Sequence, residues 1–136
     1  MNKKGTTLVE IIISAAIIAV VFMSVISFFV VMVDASKRID GVYTSANLAK
    51  NRIERARRLV GVRGFDFLID LEEVDTVIDE TGTANPEGVF TRTTDVTTSY
   101  SGNERLARID VSVYYKMRGK KCTTPMIMTT VFGNID

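Results

Sequence analysis

The sequence predicts an α+β protein: one long N-terminal helix, transmembrane in its first half and amphipathic in its second, packed on a small antiparallel sheet of about three strands. Three observations carry this expectation. From Ile11 to Val33 no residue is charged, proline or glycine. Beyond that run, apolar residues recur at steps of three and four as far as Val60, which is one face of a helix. The last third alternates apolar and polar residues, the period of a half-buried strand.

At ~1.5 Å per residue the uncharged run makes a helix of roughly 34 Å, enough to span a hydrocarbon core of about 30 Å. Glu10 sits at its mouth. A carboxylate at mid-membrane costs about 2.5–3.5 kcal/mol, and less near the edge, so this one calls for a partner. As an acid in a first helical turn it also gains about 0.3–1 kcal/mol from the helix dipole. Lys3 and Lys4 precede the run, as in a secretory signal. A signal peptide, however, has an apolar core of about 7–15 residues and a small-residue cleavage site. Here the run is much longer and passes into the charged stretch Asp34–Asp40 without such a site. The positive-inside rule keeps Lys3 and Lys4 in the cytoplasm and exports the rest, with Lys37 and Arg38 lying close to the other membrane face. Ser14, Ala15, Ala16 and Ala19 place small residues near one end of the span, where they permit close helix approach.

The helical signal continues through Ile39, Val42, Ala46, Ala49, Ile53, Ala56 and Val60. The alanines in this seam let it lie close against a sheet. The opposite face is expected to carry Lys50, Arg52, Arg55, Arg57 and Arg58. Gly41 weakens the helix interior by about 1 kcal/mol, and Gly61 and Gly64 are expected to end it. Taken as one helix, Thr6–Val60 extends roughly 82 Å.

After the helix, FDFLIDLEEVDTVIDE is read as a short helix or turn, and TGTANPEG as a loop marked by Gly, Asn and Pro. Asp66, Asp70, Glu72, Glu73, Asp75, Asp79 and Glu80 fall here with no base among them. They are read as a solvated charged surface, with contact to the basic helix face of a neighbouring subunit, or a calcium site using some of the acids, as the sharper alternatives. Their spacing matches no EF-hand calcium loop. Three strands follow. VFTRTTDVT is rich in Thr, Val and Phe. In RLARIDVSVYYK, Ala107, Ile109, Val111, Val113 and Tyr115 alternate with Arg108, Asp110, Ser112, Tyr114 and Lys116, and MIMTTVF comes last. The short connections SYSGNE and MRGKKCTTP make the strands an antiparallel meander whose apolar face the helix covers.

Composition removes several function classes. A chain of 136 residues with a membrane-length segment leaves room for one small domain. A net charge of +1 sets up no field for direct nucleic-acid binding. There is no histidine, hence neither the commonest general base nor the commonest transition-metal ligand. The single cysteine, Cys122, makes no intrachain disulfide and has no Cys–His partner to activate it. No catalytic residue, metal site or cofactor is expected, and the chain is not read as an enzyme.

Residues 3–10, KKGTTLVE, place a basic leader, a glycine and a glutamate immediately before the apolar span. This resembles the prepilin cleavage and methylation motif of the type IV pilin-like superfamily. The resemblance implies cleavage by a prepilin peptidase between Gly5 and Thr6 and N-methylation of Thr6, which stands where the family usually has phenylalanine. Lys3 and Lys4 would be the leader charge, and Glu10 the assembly contact, meeting the Thr6 amino group of a neighbouring subunit. Residues 1–5 would be the prepilin leader, 6–33 the transmembrane and filament-core helix, 34–60 its amphipathic continuation and 61–136 a small exported domain. ANLAKNRIERAR and the two longer strands are similar to parts of the I-type minor pseudopilins of type II secretion and the V-type minor pilins. The implied role is a structural, minor subunit of a type IV pilus or type II secretion pseudopilus. Its implied partners are the peptidase, other pilin or pseudopilin subunits, the inner-membrane assembly platform with its ATPase, and the lipid bilayer. The implied location is the inner membrane, single-pass, with the C-terminal domain in the periplasm or outside the cell, and then the filament. The alternative from another class is a single-pass membrane-anchored binding or sensor module that is not processed.

Overall fold

A computed structural model describes residues 7–117, 120–121 and 124–134. Its first element is helix α1, Leu8–Arg63. A 3₁₀ segment (Phe65–Leu71) follows, then strands β1 (Glu73–Ile78) and β2 (Phe90–Thr97), and a 3₁₀ turn at Tyr100–Gly102. Strands β3 (Leu106–Met117), β4 (Lys120–Lys121) and β5 (Met126–Gly133) complete the described chain. The chain divides into two compact units, one as far as Arg38 and one from Ile39.

In the first unit the apolar side chains of α1 face outward; Ile11, Phe22 and Phe29, for example, are all exposed. Three serine hydroxyls there are satisfied within the helix. The hydroxyls of Ser14, Ser24 and Ser27 donate to the carbonyls of Glu10, Val20 and Met23 at 2.7–2.9 Å. Hydroxyls bonded back to the preceding turn suit an apolar surrounding, which offers no other acceptor.

The second unit is a helix-on-sheet layer. Strands β1-β2-β3-β5 pair antiparallel in that order, and the short β4 pairs with the end of β3 through Lys116 and Met117. The β2–β3 ladder runs without interruption from Phe90↔Tyr115 to Thr97↔Arg108, and β3–β5 from Leu106↔Gly133 to Val113↔Met126. The alternation in β3 is realised: Ala107, Ile109, Val111 and Val113 are buried against Leu48, Ala49, Ile53 and Ala56 of α1. Leu68 and Leu71 of the 3₁₀ segment, with Ile78, Phe90 and Phe132, close this core. Each large apolar side chain so buried contributes on the order of 1.5–3 kcal/mol.

The α+β expectation holds, with two corrections of detail. The sheet gains a strand, β1, where the sequence suggested a helix or turn. Its alternation is interrupted by a bulge: Val74 and Asp75 together oppose Thr93, and Asp75 adopts φ 49°. An extra residue in a strand turns the side chains that follow, so a strict period of two is absent. The helical seam also differs from the predicted one. From Ala49 onward the predicted residues are buried or half-buried, but Ile39 and Val42 are exposed, and Gly41, Ser45 and Leu48 lie inward instead. Gly41 explains this shift. A Cβ there would stand 2.4 Å from Cδ1 of Tyr115, so only glycine admits that ring, which also packs against Phe90 with centroids 5.4 Å apart.

The helix continues through Gly61 to Arg63 and stops at Gly64, whose φ of 91° favours glycine. Between β1 and β2 the chain turns twice. Asp79 Oδ1 accepts bonds from the Thr81 and Thr83 amides and the Thr81 hydroxyl, and Gly82 adopts φ 84°. Gly88 then passes against β1 so closely that a Cβ would lie 2.1 Å from the Ile78 carbonyl oxygen.

Candidate functional site

Two places hold chemistry. The first is the start of α1. Thr7 precedes the helix, and its hydroxyl accepts the Glu10 amide at 3.4 Å, while its carbonyl accepts Glu10 and Ile11 amides at 3.0 and 3.2 Å. Thr7-Leu8-Val9-Glu10 therefore has the spacing of a capping box. Only half of that box forms. Among the described residues the Glu10 carboxylate makes no hydrogen bond or ion pair. It lies exposed at the beginning of a helix that is long and apolar enough to cross a membrane and has none of its apolar window buried. Lys3, Lys4, Gly5 and Thr6, the first half of the leader motif, lie outside the described residues, as does Cys122.

The second place ties the helix to the sheet. The expected position of Arg52 on the outer, basic face of α1 is wrong: its side chain is 11% exposed and reaches over to β1 and β2. Arg52 Nη2 donates to the Leu71 carbonyl at 2.9 Å and lies 3.2 Å from Glu73 Oε1, while Arg52 Nε donates to Thr94 Oγ1 at 3.4 Å. From β2, Arg92 Nε donates to Glu73 Oε1 and Nη2 to Oε2 at 3.2 Å, a two-pronged clasp of the carboxylate. Thr94 Oγ1 donates to the same Oε1 at 3.0 Å, and Arg92 Nη1 donates to the Gly82 carbonyl at 3.2 Å. One carboxylate thus holds two largely buried guanidinium groups.

The electrostatics follow from this arrangement. Burial opposes ionisation of Glu73, but the Arg92 hydrogen bonds and the charges of Arg52 and Arg92 outweigh it and hold the carboxyl below its ordinary range. Burial, against the favourable charge of Glu73, draws the Arg52 guanidinium down from its usual value, and the positive charges of Arg92 and Arg55 add to that.

Of the acidic stretch, then, Glu73 is structural and Asp79 fastens a turn, while Asp75 pairs with Lys121 at 2.8 Å. Asp66, Asp70, Glu72 and Glu80 are exposed, as a solvated surface requires. Among the described residues no group of three or more acids or cysteines converges to hold a metal ion. The sequence did contain a signal for the buried cluster. Arg92 shares a strand face with Phe90, Thr94 and Val96, so period two alone turns it toward the core, where a guanidinium demands an acid. Comparison with family models, with curated proteins and with solved structures gave no match.

Proposed function

We propose that this chain is a minor structural subunit of a type IV pilus or type II secretion pseudopilus, processed by a prepilin peptidase and assembled through α1. The observation that supports the reading most is Glu10. Its carboxylate stands without a partner among the described residues, at the start of an exposed apolar helix and five residues after the glycine of KKG. In a bundle of such helices, the Thr6 amino group freed by cleavage is a cation of matching cost. Two charges that are each unfavourable in an apolar bundle become tolerable together, and removing one strands the other at about 3–5 kcal/mol. A subunit displaced along the filament axis leaves both unmatched, so the pair specifies register. The helix–sheet unit would then be exported and carried on the filament, with no chemistry of its own.

The test is a Glu10→Ala variant produced with the assembly machinery. The expected outcome is normal processing and loss of filament incorporation. Normal incorporation would overturn the pairing argument. A second reading, an unprocessed membrane-anchored binding or sensor module, has one observation in its favour: Thr7 caps the helix, and Glu10 in the first turn gains from the dipole without any partner.

A further inference from the structure

The Arg52–Glu73–Arg92 cluster is unbalanced, and the imbalance opens onto a small pocket. Beside it lies a concavity of about 70 Å³ lined by Leu48, Asn51, Thr81 and Gly82 together with Arg52, Arg55 and Arg92. Two guanidinium groups there share one carboxylate, and Arg55 adds a third positive charge. Nearby acids are already engaged. Glu54 lies 3.8 Å from Lys50, and Asp79 is held by Thr81 and Thr83. Donors remain. Among the described residues, Arg52 Nη1, the Arg55 guanidinium and the Asn51 side-chain amide have no hydrogen-bond partner. The wall formed by Gly82 is kept open by its lack of a side chain: a Cβ would approach Leu48 Cδ2 at 3.3 Å and Arg92 Nη1 at 3.6 Å. The concavity is open to solvent and large enough to bring one oxyanion group onto these donors.

We propose that the pocket formed by Asn51, Arg52, Arg55, Arg92 and Gly82 binds a small oxyanion, a carboxylate or a phosphate. Planar guanidinium groups offer paired N–H donors that match the oxygens of either ion. Three guanidinium groups against one carboxylate leave two positive charges, which either ion would offset, phosphate more fully than a carboxylate. The lowered affinity of Arg52 for its proton, caused by burial and by Arg92 and Arg55, agrees with a site short of negative charge. The inference is independent of the filament reading, since it concerns only the helix–sheet unit.

The test uses the full-length chain, ¹⁵N-labelled in detergent micelles, titrated separately with inorganic phosphate, acetate and chloride at constant ionic strength. Expected are saturable shifts of the Gly82 amide and the Arg52 Nε–H with phosphate or acetate, and none with chloride. Saturation by both acetate and phosphate makes it a general oxyanion site; saturation by one alone assigns it to that ion's class. Arg55 is exposed, so Arg55→Gln keeps the fold, and loss of one charge-assisted donor raises the half-saturation concentration by about tenfold. Asn51→Ala, also exposed, weakens binding in the same direction, whereas Arg57→Gln, outside the pocket, leaves it unchanged. No saturable shift with either oxyanion, or equal half-saturation in wild type and Arg55→Gln, would overturn the proposal.

Discussion

Replacing Glu73 by glutamine removes one negative charge from between two arginines while keeping the shape of the side chain. In the native cluster the carboxylate receives Arg92 Nε, Arg92 Nη2 at 3.2 Å and Thr94 Oγ1 at 3.0 Å, with Arg52 Nη2 at 3.2 Å. The guanidinium groups left behind are 11% and 9% exposed, so water replaces the lost charge poorly. Removing one partner of a buried pair costs about 3–5 kcal/mol, and the 17% exposure of Glu73 itself places this case near the lower end, about 3 kcal/mol. In a domain of about 100 residues each kcal/mol moves the melting temperature by about 4–8 °C, so the expected fall is roughly 12–24 °C. Circular dichroism of the full chain in detergent measures it. A Glu73→Gln melting temperature within about 3 °C of wild type would refute the reasoning. Removing Arg92 as well, by Arg92→Gln, should cost less than the two single changes added together.

The same carboxyl sets an acid limit. Its folded-state pKa lies below the ordinary glutamate value of about 4.3, so its stabilisation is complete above that pH and is lost as pH falls through the depressed value. Glu73→Gln should flatten this part of the acid-unfolding curve. Two glycines are predicted to resist substitution. Gly88→Ala forces a Cβ to 2.1 Å from the backbone oxygen of Ile78 and should lower stability by about 2 kcal/mol or more in urea unfolding. Gly41→Ala gains about 1 kcal/mol of helix propensity but displaces the Tyr115 ring, for a net loss of about 1–2 kcal/mol. In a Tyr115→Ala background the Gly41→Ala loss should vanish or reverse sign, and an undiminished loss there would contradict the close-approach argument.

The parts of the fold that were legible are those whose burial is one-sided and whose period is regular. The uncharged run from Ile11 to Val33 reads as helix because nothing interrupts it. β3 reads as a strand because Ala107, Ile109, Val111 and Val113 face α1 while Arg108, Asp110 and Ser112 do not. What was not legible depends on features that hydrophobic periodicity does not register. Gly41 and Ser45 are inward because they are small, and Ile39 and Val42, the larger residues, are turned out. β1 hides behind its bulge and its charge. Arg52 lies among four other basic residues that read as a solvated face, and only the tertiary position of Glu73 draws it inward. The Glu10 site is the reverse case. Its leader motif is legible in the sequence, and Lys3, Lys4, Gly5 and Thr6 of that motif fall outside the described residues.

On the proposed function, α1 begins behind a leader and enters a filament without it. Intact mass with N-terminal sequencing of the protein, taken from membranes that contain an active prepilin peptidase, tests this most directly. The expected product is a chain that begins at Thr6 and carries one added methyl group. A chain that still begins at Met1 would contradict it, leaving Glu10 a helix-end acid and the protein a membrane-anchored module.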